Sequence, residues 1–372
     1  MYRLEDLDFM REALRLAAKG TALASPNPRV GAVLVRDGQI AGRGSHRYEA
    51  KVHAEVLALN EAGEAARGAT LYVNLEPCCH TGRTPPCVEA ILRAGVARVV
   101  AGMRDPNPEV TGGGLRRLQE AGVKVEAGCL EREARRLNED FSKWIRTGLP
   151  FVTLKAALSV DGRIAAAAGG SAGAGAGAHP WISSQPSRER VQALRHQSDA
   201  VLSGIGTALA DDPWLTDRTK LARRRPLLRV IVDSHLHLPP TSQLLRGARR
   251  AHDLVVFHAD GGVEAQAALE KVGARLEPAP AAPGGVDLEA VLRWLGREQI
   301  TSVLLEAGAR LNGSMLAGGW VDKLVLFQAP VLLGDTGVPL AAGAGAWPRP
   351  VQGTLTAENV GPDLMIEAYL AD

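Results

Sequence analysis

The chain is poor in cysteine, carries almost no net charge and contains no long apolar run, and each deficit excludes a class of protein. Only four cysteines occur in 372 residues, and three of them, Cys78, Cys79 and Cys87, lie within ten residues of one another. Disulfide scaffolds spread many cysteines along short secreted chains, so this clustering points instead to metal ligation in a reducing cytoplasm. Cys129 stands alone and reads as a small buried apolar residue. The formal net charge is +2, which leaves no basic footprint for a nucleic-acid partner. No apolar stretch approaches the roughly 20 residues of a membrane span, so no membrane partner is expected. The Met1 region, with Arg3, Glu5, Asp6 and Asp8, reads as the start of an amphipathic helix and not as a signal peptide. The full G-x-G-x-x-G dinucleotide fingerprint is missing as well, which counts against an ordinary Rossmann domain.

What is present is a chain long enough for two domains, 46% hydrophobic and 23% charged. Residues 1 to 147 alternate helical and strand patterns. Leu4, Leu7, Met10, Leu14 and Ala17 recur at helical spacing. Residues 30–35 and 39–42 read as two strands joined at Asp37-Gly38, a hairpin signal. A helix is expected from about His53, a strand at 70–75, a helix after Pro86, and a strand at 97–102. A helix opening at Gly112-Gly113-Gly114, a strand at 123–127 and one long helix to about Arg146 complete the half. An opening hairpin followed by alternation implies a mixed sheet with helices on both faces. Thr147-Gly148-Leu149-Pro150 marks a boundary. Residues 148 to 372 restart with a strand at 151–157 and continue as α/β. Strands are expected at 200–203, 228–232, 253–258, 302–306 and 323–328, and helices at 187–197, 263–271, 287–297 and 312–318. Ala165 to Ala178 is almost all Ala, Gly and Ser and reads as a mobile loop.

His53-Ala54-Glu55 followed by Pro77-Cys78 and Cys87 carries the chemistry of the first half. One histidine and two cysteines are three zinc ligands, leaving the fourth tetrahedral position to water whose pKa falls toward ~7. Glu55 supplies a proton carrier that is not a ligand, the H-x-E…P-C…C arrangement of zinc-dependent nucleobase deaminases. Residues i and i+2 of a helix do not share a face, so His53 and Glu55 line one mouth only at a helix start. The competing reading is a closed structural zinc site, with Cys79 or His80 as fourth ligand. Asn27, rigid between Pro26 and Pro28, suits a base-reading amide or a tight turn into the first strand. His80 and Arg83 suit a substrate hydroxyl or phosphate, or a solvated loop.

Asn27-Pro28-Arg29-Val30-Gly31, His53-Ala54-Glu55, Glu76-Pro77-Cys78, His80, Gly82-Arg83-Thr84-Pro85-Pro86-Cys87 and Asp105-Pro106-Asn107-Pro108 together resemble the bifunctional riboflavin-biosynthesis deaminase/reductase family. The eight residues between Cys78 and Cys87 fit that family, whereas nucleic-acid and free-nucleoside deaminases typically show a shorter C-x-x-C. The second half resembles the family's reductase through residues 154–163, Gly204-Ile205-Gly206-Thr207, residues 211–218 and residues 306–314. The resemblance implies a cytidine-deaminase-like mixed-sheet domain followed by a dihydrofolate-reductase-like domain, with zinc and NADPH as cofactors. It implies deamination of 2,5-diamino-6-(5-phosphoribosylamino)pyrimidin-4(3H)-one, then reduction of the ribosyl group to 5-amino-6-(5-phosphoribitylamino)uracil.

Carried over by position, Trp181, Thr207, Asp211, Ser234 and the turn Gly308, Ala309, Arg310, Leu311, Asn312, Gly313, Ser314 contact NADPH. Arg195, Leu215, Arg218 and Glu306 contact substrate, the two arginines being suited to its phosphate. Lys155 and Asp161 read either as polar neighbours of the reacting centre or as a strand-end lysine and a turn aspartate. The chain departs from the family just before Trp181, where His179 stands in place of a serine, a difference that reshapes substrate contact. The resemblance leaves a homo-oligomer open. The alternatives are a single-activity zinc deaminase whose second half only positions substrate, a nucleic-acid editing protein, and a zinc-stabilised interaction protein.

Overall fold

In the computed structural model, which describes residues 2–80, 85–108, 110–166, 181–247, 253–343 and 350–371, the chain forms two units. The first is Met1–Leu149 with Ala222–Arg225, and the second is Pro150–Leu221 with Pro226–Asp372. Arg224 and Arg225 fasten the short segment into the first unit. The Arg224 guanidinium lies 4.1 Å over the Tyr48 ring, and Arg225 Nη2 donates to Ser25 Oγ at 3.2 Å.

The first unit runs α1 (Leu4–Ala18), β1 (Gly31–Arg36), β2 (Gln39–Ser45), α2 (Ala54–Ala62), β3 (Thr70–Leu75), α3 (Cys87–Arg93), β4 (Arg98–Met103), α4 (Gly113–Glu120), β5 (Lys124–Ala127), α5 (Glu131–Leu137) and α6 (Glu139–Thr147). Its described strands order as β2-β1-β3-β4-β5, with β1 antiparallel to β2 and β3, and β3, β4 and β5 parallel. Asp37 and Gly38 both take positive φ, as the tight hairpin turn requires. Alternation along β1 feeds two cores. Ala32 and Leu34 pack with Ala54, Ala58, Val88 and Ile91, while Val33 and Val35 pack with Met10, Ala13 and Leu16 of α1. Cys129 is fully buried in the second of these cores. The stripe on α1 differs from the spacing read in the sequence. Met10, Ala13, Leu16 and Ala17 are buried, and Leu4 is 81% exposed.

The long helix expected up to Arg146 is two helices. Asn138 breaks it, at φ −119° and ψ 27°. Its side-chain oxygen accepts from Arg29 N at 2.7 Å, and its Nδ2 donates to Arg29 O at 3.0 Å. A fully buried amide pairing with a distant backbone outweighs one more helical turn.

The second unit comprises β6 (Phe151–Leu158), β7 (Arg163–Ala165), α7 (Gln185–Gln197), β8 (Ala200–Gly204), α8 (Ile205–Asp211), β9 (Leu228–Val232), α9 (Gln243–Arg246), β10 (Leu254–His258) and α10 (Val263–Lys271). It continues with β11 (Arg275–Pro278), β12 (Ala281–Ala282), β13 (Gly285–Val286), α11 (Leu288–Arg297), β14 (Ser302–Leu305), α12 (Ala309–Ala317), β15 (Lys323–Gln328), β16 (Val338–Pro339), β17 (Val351–Val360) and β18 (Asp363–Leu370). The main sheet orders as β11-β10-β9-β8-β14-β6-β15-β18-β17. It is parallel from β11 to β15, and its last two strands are antiparallel. The hairpin β17–β18 and the short helix α8 go beyond the elements read from the sequence. β17 is the edge strand and exposed along nearly all its described length, so it carries no alternating apolar pattern. The Ala165–Ala178 stretch and His179 lie, but for Ala165 and Ala166, outside the described residues. No described helix is long and apolar enough to cross a membrane.

Candidate active sites

Close packing of α2 on β2 sets the first site. A Cβ on Gly42 would sit 2.1 Å from Ala58 O, and one on Gly44 1.9 Å from Ala54 O, so only glycine lets the helix lie this near. His53 is the N-cap of α2 in extended conformation (φ −79°, ψ 156°), and Glu55 falls in its first turn. The angled start of a helix therefore brings His53 and Glu55 to one place, as the sequence required. Cys78 follows β3, and Cys87 opens α3 behind its N-cap Pro86.

His53, Cys78 and Cys87 offer donor atoms that all lie within 4.8 Å of one another. His53 Nδ1 is 2.9 Å from Cys87 Sγ and 3.5 Å from Cys78 Sγ. Donors on a tetrahedral zinc stand roughly 3.3–3.8 Å apart, and a group of three within 4.8 Å is of the size that small shifts would bring onto one ion. The Cys87 thiol hydrogen bonds to Cys78 sulfur and stabilises a Cys78 thiolate, and the same bond with burial pushes Cys87 up. His53 is raised, first by its hydrogen bond to Cys78. Glu55 is 4% exposed, and burial raises its carboxyl above the ordinary range. Cys79 is not among the three grouped donors. It packs partly buried on the first unit's core, near Gly113 of α4.

Two further residues, His46 and Glu76, carry roles that the sequence did not assign. His46 is 4% exposed, its ring edge-on to His53 with centroids 5.6 Å apart. Its Nδ1 faces Val52 O at 2.9 Å, so that nitrogen carries the proton. Its Nε2 lies 3.0 Å from Asn27 Nδ2. Burial lowers its pKa, which keeps the ring neutral and able to accept from the Asn27 amide. Glu76 accepts backbone N–H bonds from Asp105, Gly112, Gly114 and Leu115 at 2.9–3.1 Å. It ties the Cys78 loop to the start of α4, where a Cβ on Gly114 would meet Pro77 O at 1.9 Å. Burial pushes the neighbouring Asp105 up to about 6. His80 is exposed, and Arg83 lies outside the described residues.

The second unit holds a cleft of about 2010 Å³ formed largely by turns that follow the carboxyl ends of β8, β9 and β14, where ligands of parallel α/β sheets bind. Trp181, Thr207, Asp211, Ser234, Gly308, Ala309, Arg310, Leu311 and Ser314 line it, as do Lys155, Arg195, Leu215, Arg218 and Glu306. Asn312 and Gly313 do not. Asn312 is fully buried and donates to Ala307 O and Leu340 O, and a Cβ on Gly313 would sit 2.2 Å from Ala342 O. They fix the turn from behind. Asp161 is also away from the lining. Its carboxylate accepts from Leu333 N and Gly334 N at 3.1 and 2.7 Å, the turn role allowed for it.

Both Gly204 and Gly308 are helix N-caps at the cleft, so α8 and α12 each start there. Arg195 forks onto Glu306 at 2.6 and 3.1 Å and reaches Thr216 O at 3.1 Å. Lys155 Nζ is 3.7 Å from Glu306, and burial pulls its pKa down against that attraction.

Comparison with known proteins reaches both halves of the chain. The family model for the cytidine and deoxycytidylate deaminase zinc-binding region matches residues 4–103, and that for the RibD C-terminal domain matches residues 150–363. The riboflavin biosynthesis protein RibD of Escherichia coli K12 is 43% identical over 343 residues, covering 89% of each chain. The structure of Acinetobacter baumannii RibD superposes with a TM-score of 0.83 at 36% identity, covering 99% of both chains. A diaminohydroxyphosphoribosylaminopyrimidine deaminase/5-amino-6-(5-phosphoribosylamino)uracil reductase from Thermotoga maritima gives 0.81 at 32% identity, again over 99% of both. With this similarity running the length of the chain, through the zinc-binding region and the reductase cleft alike, the protein belongs to the RibD family of bifunctional riboflavin-biosynthesis enzymes, a zinc deaminase joined to an NADPH-dependent, dihydrofolate-reductase-like reductase.

Proposed function

We propose that residues 1–147 deaminate the phosphoribosylamino-diaminopyrimidine at the His53–Cys78–Cys87 centre, and that residues 148–372 reduce the ribosyl group of the product in the cleft at the ends of β8, β9 and β14. One observation carries the assignment. Three metal donors stand within 4.8 Å, with a fourth, proton-carrying group buried on the same helix start. His53, Cys78 and Cys87 would hold the zinc, and the chemistry it would supply there is an acidified water at neutral pH. Glu55 would carry a proton to the ring nitrogen, and its carboxyl, raised by burial, suits a group that must both accept and donate. Asn27, held by His46, orients the base. Glu76 keeps the Cys78 loop against α4. Among the described residues only three donors gather, one fewer than a closed structural site uses, which favours catalysis.

In the second unit, NADPH supplies a hydride. The first turn of α12, behind its N-cap Gly308, offers backbone N–H groups to the pyrophosphate, and Arg310 adds positive charge. Trp181, Thr207, Asp211 and Ser234 complete the cofactor side. Arg218 faces the substrate's sugar phosphate and Leu215 lies on the same substrate side, while Arg195, suited to that phosphate by the resemblance, is engaged with Glu306. Glu306, braced by Arg195 and Lys155, places a carboxylate among the polar groups of the reacting sugar. The protein's main contribution is to hold nicotinamide and sugar together. The enzyme works in the cytoplasm on a small phosphorylated pyrimidine, without a nucleic-acid partner.

Coupled assay of the purified protein tests the assignment. Ammonia release from the diaminopyrimidine should precede NADPH oxidation, and supplying deaminated product should start NADPH oxidation at once. Ammonia release with no NADPH consumption under either condition would leave a single-activity deaminase.

A further inference from the structure

Gln192, Arg195 and His196 occupy positions i, i+3 and i+4 of α7 and so share a face. All three reach one short stretch, Thr216–Arg218. Gln192 Oε1 accepts from Arg218 N at 2.9 Å, and Arg195 Nη1 donates to Thr216 O at 3.1 Å. His196 Nδ1 lies 2.8 Å from Asp217 Oδ2, with side chains only 8% and 6% exposed. The other Asp217 oxygen accepts from Thr219 N at 2.9 Å and Thr219 Oγ1 at 2.7 Å. Just before the stretch, Leu215 is 3% exposed and takes the left-handed φ of +48°, a conformation a branched residue keeps only where its surroundings enforce it.

His196 and Asp217 do not line the cleft, yet their sequence neighbours Arg195 and Arg218 do. The backbone of Arg218 is held while its side chain stays exposed toward the cleft. We infer that the buried His196–Asp217 pair is a positioning device for the substrate side of the reductase. It latches residues 216–218 onto α7 and thereby preorganises the Arg218 guanidinium for the sugar phosphate. A residue fixed before binding does not lose that freedom on binding, so loss of the latch falls on substrate affinity. The inference rests on the reading of Arg218 as the phosphate ligand.

The test uses the full-length holoenzyme and measures the KM for deaminated phosphoribosylamino-pyrimidine, the KM for NADPH, and kcat. His196→Leu should raise the substrate KM about tenfold, the effect of one lost charge-assisted hydrogen bond. The NADPH KM should stay within about twofold, as expected of a site contacting only the other ligand. His196→Asn puts an amide N–H where Nδ1 stands and should restore the substrate KM. Asp217→Asn gives a second reading if His196→Leu does not fold. Arg218→Ala should raise the same KM, and adding His196→Leu to it should raise it no further, because both act through one contact. An unchanged substrate KM in His196→Leu beside a raised one in Arg218→Ala would overturn the latch alone. Parallel rises in both KM values, with no rescue by Asn, would reduce the pair to general stability and overturn it too. An unchanged KM in Arg218→Ala would instead remove the phosphate reading on which the inference stands.

Discussion

The deaminase centre and the reductase cleft are built on different plans. The first gathers His53, Glu55, Cys78 and Cys87 from 35 residues of chain, each by virtue of its own functional group. The second draws on chain from Lys155 to Val338, and much of its lining is glycine, alanine and turn backbone. A metal site depends on a few irreplaceable donors, so single substitutions silence it. A cofactor cleft shares binding among many backbone groups, so single substitutions shift it by degrees.

Cys78→Ser or Cys87→Ser should remove zinc and bring deamination to background, because metal affinity rests on thiolate bonds. Reduction of supplied deaminated intermediate should continue unchanged. Glu55→Gln should lose about 10²–10⁴-fold in deamination, the usual worth of a general acid–base group, while keeping its zinc. Metal analysis beside ammonia release and NADPH oxidation separates these outcomes. Zinc lost from Glu55→Gln would place the carboxylate in the coordination shell, and reduction lost from either variant would show that the two sites are not independent.

Below the metal site in effect stands the buried ion pair of the first unit. Arg98 donates to both Asp6 oxygens at 2.7 and 3.1 Å, Tyr72 Oη donates to Oδ1 at 2.7 Å, and Asp6 is 1% exposed. Removing one partner of a buried pair costs about 3–5 kcal/mol, so Asp6→Asn should lower the first unit's melting temperature well before the second's. The pH dependence has a definite sign. The Arg98 hydrogen bonds hold the Asp6 carboxyl well below its usual value. Its contribution is therefore complete above an unfolded pKa of ~3.9 and fades as pH falls through the folded value. Melts of wild type and Asp6→Asn should differ most near neutrality and converge in strong acid. A gap independent of pH would mean the pair is not ionised.

In the cleft, Gly313→Ala would drive a Cβ to 2.2 Å from Ala342 O, against backbone and not a yielding side chain. Overpacking of this kind costs about 1–3 kcal/mol. The turn it would displace carries the α12 N-terminus, so the NADPH KM should rise while deamination is untouched. Equal KM values in wild type and mutant would show that the turn does not hold the cofactor.

Legibility followed the same division. The metal donors, Glu55 at a helix start, the hairpin at Asp37-Gly38 and the α/β alternation in both halves can be read because each depends on local spacing. Residues whose roles depend on distant backbone could not. Nothing near Glu76 announces that N–H groups 29–39 residues away will converge on it. Asn138 breaks a helix for the sake of Arg29, 109 residues earlier. His46 and the His196–Asp217 pair acquire meaning only when folding brings Asn27 and α7 beside them. Asn312, placed on the cofactor by its position in a turn, spends its amide on Ala307 and Leu340 instead. Family resemblance pointed to the turn, and packing decided which of its side chains face the cleft.

The smallest predicted effect falls between the two cysteines that adjoin. Cys79 follows Cys78 directly, yet it lies outside the donor group and packs on the core of the first unit. Its sulfur lies where a Cβ on Gly113 would approach to 2.9 Å, so it fills space beside the α4 turn. Exchanging sulfur for a hydroxyl at this half-buried position trades a little apolar contact for a group able to find water. Such a change is expected to cost within about 1 kcal/mol. Cys79→Ser should thus keep full zinc occupancy and near wild-type deamination, against the complete loss expected from Cys78→Ser. Zinc titration of the two variants side by side is the measurement. Equal loss from both would make Cys79 a fourth ligand, close the coordination sphere, and take away the open position on which the deaminase chemistry depends.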